Sequence, residues 1–173
     1  MRWLLVFFIV FFPAVIYADN LVQKEAVPMR LTSPEFENNN LIPVKFTCEG
    51  EDINPALDIH GIPAGTEELA LIVDDPDAPM GTWVHWVAYN IPVVSHIKEN
   101  SVPGTLGVNN SGKKEYHGPC PPSGTHRYFF KIYSLDKKID LPLGLSKAAL
   151  EQAMAGHILD KAELIGLYKR SSR

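Results

Sequence analysis

Two aspartates, two histidines, a tyrosine and a glycine carry the chemistry this chain can offer: Asp75, Asp77, His85, Gly118, His126 and Tyr128. The stretch from Asp74 to Trp86 reads DDPDAPMGTWVHW. Pro76 and Pro79 fix φ and remove two backbone donors, so this segment is a rigid loop presenting Asp75 and Asp77 as a carboxylate pair. His85 follows on a strand whose alternation places Trp83, His85, Val87 and Tyr89 on one face. A second imidazole and a phenol, His126 and Tyr128, share a face of another alternating run. Protonated imidazoles, a phenolic hydroxyl and the backbone N–H groups near Gly118 are donors for a phosphate or carboxylate, and an adjacent carboxylate favours the charged imidazole. Asp75 and Asp77 are too negative to touch an anion while ionised, so their expected role is to orient or charge the histidines. Two histidines and two aspartates also suit zinc or iron in type. No His-x-x-x-His helix, Gly-x-Ser-x-Gly elbow or glycine-rich phosphate loop accompanies them, so neither a metal, a cofactor nor catalysis is expected. Each part has a plainer reading as well: an Asx turn capping its own backbone, a core histidine, and a His-x-Tyr pair satisfied within itself.

Strands must position these groups. The apolar run Leu69–Val73 predicts a buried strand that delivers Asp75 and Asp77 to its end. Trp83–Tyr89 predicts the next strand, and His126–Leu135 a third, with Arg127, Phe129, Lys131 and Tyr133 on the face opposite His126, Tyr128, Phe130 and Ile132. Between them, three prolines and two glycines within residues 118–126 hold one loop in shape, and Gly118 lets its backbone approach a ligand closely. Val44–Cys48 alternates as a half-buried strand, and Leu57–Ile59 reads as a short one. The stretch from Val93 to Lys114, rich in Gly, Asn and Ser, has no clear period and reads as a long, weakly fixed loop of the kind that serves as a lid. Ser146 caps a predicted helix with Leu150, Ala153, Met154 and Ile158 on its apolar face and His157 at the edge of that face. Ala162–Tyr168 is apolar on both faces, which suits the interior of a sheet or a homodimer interface.

The first 18 of the 173 residues have one early cation, Arg2, then an apolar run from Trp3 to Phe12 and a small residue, Ala18. That is the pattern of a secretory signal peptide, too short in its apolar part to span a bilayer comfortably. Cleavage after Ala18 predicts a mature chain starting at Asp19, exported to the periplasm or beyond without a stable membrane anchor. Residues 19–30 read as a flexible lead-in and 31–170 as a single domain. Losing Arg2 leaves 15 basic against 20 acidic residues, about −5, with no basic cluster, which argues against nucleic acid as a partner. Fourteen scattered prolines and twelve glycines point to many short strands joined by fixed turns, a mainly β fold. In an exported chain the only two thiols, Cys48 and Cys120, are expected to be bridged. Closing a loop of roughly 70 residues contributes about 4 kcal/mol by the chain-entropy account; two separate buried thiols are the alternative.

Four motifs in order, Asp-Pro-Asp-Ala-Pro at 75–79, Trp-Val-His-Trp at 83–86, Gly-Pro-Cys-Pro-Pro at 118–122 and Gly-Thr-His-Arg-Tyr at 124–128, closely resemble the phosphatidylethanolamine-binding protein family. The likeness is to its bacterial and archaeal, Raf kinase inhibitor-like branch, and it runs from about Leu31 to Arg170. It implies a large antiparallel β-sheet packed on a smaller one with few peripheral helices, and a small anion-accepting pocket at one end. By motif, the pocket residues fall on Asp75, Asp77, His85, Gly118, His126 and Tyr128. Ile59 stands where relatives usually carry a tryptophan, which puts the wall of the pocket or core near that strand in question. The resulting expectation is an exported, non-catalytic protein that binds a small anion such as phosphate or a phospholipid headgroup. The alternatives are a kinase or protease inhibitor acting through surface loops and, further off, a metal-dependent hydrolase.

Overall fold

The structure, a computed structural model, describes residues 27–139 and 141–171. The leader read at residues 1–18, and the lead-in up to residue 26, lie outside the described residues. Among the described residues nine strands and one helix follow in order: β1 (Arg30–Thr32), β2 (Asn40–Leu41), β3 (Leu57–His60), β4 (Glu68–Asp75), β5 (Trp83–Ile91), β6 (His96–Ile97), β7 (Thr105–Leu106), β8 (His126–Leu135), α1 (Lys147–Met154) and β9 (Ile158–Tyr168). They form a six-stranded sheet in the order β2-β9-β8-β4-β5-β7 and a three-stranded sheet in the order β1-β3-β6. Every pairing is antiparallel except that of β2 with β9. This is the expected large sheet on a small one.

Strand β4 is the axis. All eight of its residues are buried, because both faces of the large sheet are covered there. Leu69, Leu71 and Val73 join Trp86, Phe130 and Ile132 of the large sheet and Leu31, Leu57, Ile59 and Ile97 of the small one in the core between sheets. Ala70 and Ile72 pack outward with Val87, Tyr89, Leu150 and Met154 beneath α1. Each such aliphatic or aromatic side chain contributes about 1.5–3 kcal/mol by leaving water. Ile59, at the position of the family tryptophan, lies wholly in the inter-sheet core. Met29, read as part of the lead-in, is buried in that core too, and its backbone N–H donates to Asp160 Oδ2 at 2.9 Å.

Several local expectations are corrected. Val44–Phe46 is a 3-10 turn, not a strand. Pro43 supplies a φ of −58° before it, and the Thr47 hydroxyl and N–H both donate to Val44 O, so local hydrogen bonds displace the ladder. The helix stops at Met154 because Gly156, at φ +80°, makes a left-handed exit. Ile158 therefore opens β9, and His157 pairs with Asp136 at 3.0 Å. Strand β9 lies inside the sheet, between β2 and β8. The stretch from 93 to 114 is pinned rather than loose: it holds β6 and β7, the Asn54 side chain bonds Lys98 O and Ser101 N–H, and Asn109 Oδ1 accepts from Ser111 and Lys113.

The alternation of β5 breaks where the site is built. Val73 pairs with Trp86 and Asp74 with Val84, which leaves His85 as an extra residue. Such a bulge turns consecutive side chains toward the same side. Val87 and Tyr89 face α1, whereas His85 is turned toward the inter-sheet side, where its ring meets Tyr128. Asn110 satisfies the backbone on the bulge's outer side, accepting from Val84 N–H and donating to Val84 O, both at 3.0 Å.

Candidate functional site

The end of β4, the β5 bulge, the start of β8 and the loop at 117–122 surround a cleft of about 420 Å³. Asp75, His85, His117 and Tyr128 are its polar lining, and Ala78, Pro79, Met80, Trp83, Pro121 and Pro122 form apolar walls. Met80 is 97% exposed on the rim. Cys120 also lines the cleft and is bridged to Cys48, 72 residues away in the chain, so this wall is covalently tied to the turn after Phe46.

Asp75 is buried, and each of its oxygens accepts one hydrogen bond from the protein. Its Oδ2 accepts from His126 Nδ1 at 2.7 Å and its Oδ1 from the Asp77 N–H at 2.8 Å. One carboxylate thus both caps the Asx turn and holds the His126 imidazole. His126 is the buried layer behind Asp75 and does not line the cleft.

His85 Nδ1 lies 2.6 Å from the carbonyl of His117. A carbonyl only accepts, so Nδ1 carries the proton and, in the neutral ring, Nε2 is an acceptor. The His117 N–H donates back to His85 O at 3.1 Å, and the two imidazoles stack with centroids 5.9 Å apart. Burial pushes the His85 pKa down to about 4 against the opposing pull of the His117 carbonyl and Asp75. The ring is therefore neutral near pH 7, in contrast to the protonated imidazole expected from sequence.

Tyr128 lies edge-on to His85, with centroids 5.1 Å apart. It is 1% exposed, and its hydroxyl has no hydrogen-bond partner among the described residues. The Cys120 amide is near enough to ease ionisation slightly but closes no hydrogen bond of normal geometry. Burial, reinforced by Asp75, raises the Tyr128 pKa far above the ordinary phenol value, so the hydroxyl remains a donor at any physiological pH.

The two remaining expected residues serve the frame. Asp77 grips Arg127, taking its Nε at 2.9 Å, its Nη2 at 2.7 Å and its backbone N–H at 2.9 Å, and the guanidinium holds its pKa down to about 2. Gly118 is buried and donates its N–H to Asp52 Oδ1 at 2.6 Å. A Cβ there would stand 2.5 Å from Phe46 O and 2.8 Å from Thr47 Cα. The glycine is required by backbone packing against that turn, not by approach to a ligand. His117 is the polar lining residue that sequence reasoning passed over, although its place immediately before the Gly-Pro-Cys-Pro-Pro loop was a usable signal. Among the described residues no three His, Cys, Asp or Glu side chains converge as a metal site.

The family model described as phosphatidylethanolamine-binding protein matches residues 32–169. A UPF0098 protein of Methanothermobacter thermautotrophicus is 49% identical over 150 residues, covering 82% of this chain and 99% of that relative. Among solved structures, the phosphatidylethanolamine-binding protein homologue CT736 of Chlamydia trachomatis superposes with a TM-score of 0.81 at 40% identity, over 83% of this chain and 99% of the other. E. coli YbcL, described as a new member of the mammalian family, gives 0.77 at 28% identity, over 84% and 100%.

Proposed function

Because the chain belongs to the phosphatidylethanolamine-binding protein family, we propose that it binds a small oxyanion, phosphate or a phospholipid-headgroup-like group, between Asp75, His85, His117 and Tyr128 without turning it over. The observation that carries this reading is the Tyr128 hydroxyl, a buried donor at a cleft wall with no partner among the described residues. Leaving such a group unsatisfied costs about 1–3 kcal/mol, and an oxyanion supplies the missing acceptor. Asp75 opposes an anion, so a proton must enter with it, carried on a ligand oxygen that donates to the acceptor Nε2 of His85. Binding should therefore weaken as pH rises.

Export of the mature protein is part of the proposal. It is supported by the leader sequence and by the Cys48–Cys120 bridge, which suits an oxidising compartment. Among the described residues no helix is long and apolar enough to cross a membrane. The alternative of a kinase or protease inhibitor that inserts the 93–114 stretch has weaker support, because the Asn54 and Asn109 side chains pin that stretch down. The test is calorimetric titration with inorganic phosphate and phosphoethanolamine at about pH 5.5 and pH 8, with phosphorus NMR of the mixture afterwards. Saturable binding that is tighter at the lower pH, with the phosphoester intact, is expected. Release of free phosphate would make the protein a hydrolase, and no binding at either pH would remove the oxyanion reading.

A further inference from the structure

We infer that the cleft selects an oxyanion that still carries an O–H, a phosphoric acid monoanion or a singly protonated phosphate, and rejects an equally charged oxyanion without a proton. This rests on the oxyanion reading and asks which oxyanion fits. Among the described residues the lining contains no lysine or arginine, and the neighbouring Arg127 is committed to Asp77. Around His85 the titratable groups are Asp75 on β4, Tyr128 on β8, and His117 and Asp52 from the flanking loops. Of these, Tyr128 offers a hydroxyl donor and Asp75 a carboxylate that only accepts. The His117 carbonyl holds the His85 proton on Nδ1 at 2.6 Å, so Nε2 faces the ligand as a second acceptor. With the His117 imidazole, which in its neutral form donates from one ring nitrogen and accepts at the other, this set of donors and acceptors is complementary to a tetrahedral ion that has at least one unprotonated oxygen and at least one O–H. An ion with only bare oxygens satisfies Tyr128 but sets lone pairs against the lone pairs of Asp75 and His85.

The discriminating pair is phosphate and sulfate at about pH 8. Both are then tetrahedral dianions of nearly equal size, and only phosphate carries a proton. A site built to accept a hydrogen bond rejects a ligand lacking the donor by large factors, so phosphate should bind at least roughly 30-fold more tightly than sulfate. Calorimetry on the wild-type mature chain reads this directly. Equal binding of the two ions overturns the inference while leaving the oxyanion reading in place. Binding of neither, or binding of ethanolamine alone, overturns both. Asp75→Asn, checked for folding by circular dichroism, replaces an obligate acceptor with an amide that also donates, and the phosphate-to-sulfate ratio should narrow. An unchanged ratio in a folded variant would overturn the role given to Asp75.

Discussion

Removing the Tyr128 hydroxyl should weaken the ligand and strengthen the fold at the same time. In the free protein this oxygen is buried with no hydrogen-bond partner among the described residues, beside Asp75 and on a ring that meets His85 edge-on at 5.1 Å between centroids. Tyr128→Phe keeps the ring that fills the core between the sheets and deletes only the unsatisfied group. The desolvation penalty of such a group is about 1–3 kcal/mol, so the variant should be more stable by up to that amount. In a chain of this size 1 kcal/mol moves Tm by about 2–4 °C. In the complex the same hydroxyl donates to a charged oxygen, an interaction of about 1.5–3 kcal/mol, so affinity for phosphate should fall about 10- to 150-fold. Calorimetry gives the affinity and a thermal melt gives the stability. A variant that melts lower and binds phosphate as tightly as wild type would refute the reasoning, because it would mean that the hydroxyl serves the fold and not the ligand.

Four further outcomes are expected. His85 has a folded pKa of about 4 against an ordinary 6.5, so the unfolded chain binds the extra proton between those values and stability is lost as pH falls from about 6.5 to about 4, by about 3 kcal/mol; urea midpoints across that range should slope in wild type and flatten in His85→Gln. Reducing the Cys48–Cys120 bridge, which spans 72 residues, should cost about 4 kcal/mol by the chain-entropy account, and an unchanged urea midpoint after reduction would contradict it. Arg127→Ala breaks a partly exposed ion pair with Asp77 and should cost about 1 kcal/mol with phosphate affinity unaltered; an affinity loss of about tenfold would return Asp77 to the binding site. Intact-mass analysis of the processed protein should give Asp19 as the first residue, against which a membrane-bound species retaining Met1 would count.

What could be read from the sequence divides along physical lines. Strands β4 and β8 were legible because an unbroken apolar run and a strict alternation leave one structure that buries them. The polar lining by Asp75, His85 and Tyr128 was legible through motifs at strand ends. The His85 bulge was not, since it is a property of pairing with β4 and not of the β5 sequence itself. Period 2 consequently put His85 with Val87, on the wrong side of the sheet. Gly118 was identified but given the wrong reason, because the Phe46–Thr47 backbone that forbids its Cβ is some 70 residues away in the chain. Val44–Phe46 has a strand-like composition, but Pro43 and Thr47 bend it locally. The 93–114 stretch looked loose because Asn54 holds it from 44 to 47 residues away and Asn109 through a local side-chain turn, neither of which leaves a periodicity.

The central claim, that a protonated oxyanion sits between Tyr128 and His85, is tested most directly by nitrogen NMR of the histidine rings during a phosphate titration. The account predicts that in the free protein near neutral pH the His85 ring is neutral with its proton on Nδ1, and that phosphate shifts its Nε2 signal saturably as a hydrogen bond or a proton arrives there. The exposed His96, paired with Asp58 at 2.7 Å on the three-stranded sheet and outside the cleft lining, should stay unmoved. A His85 Nε2 signal unchanged at saturating phosphate would contradict the claim.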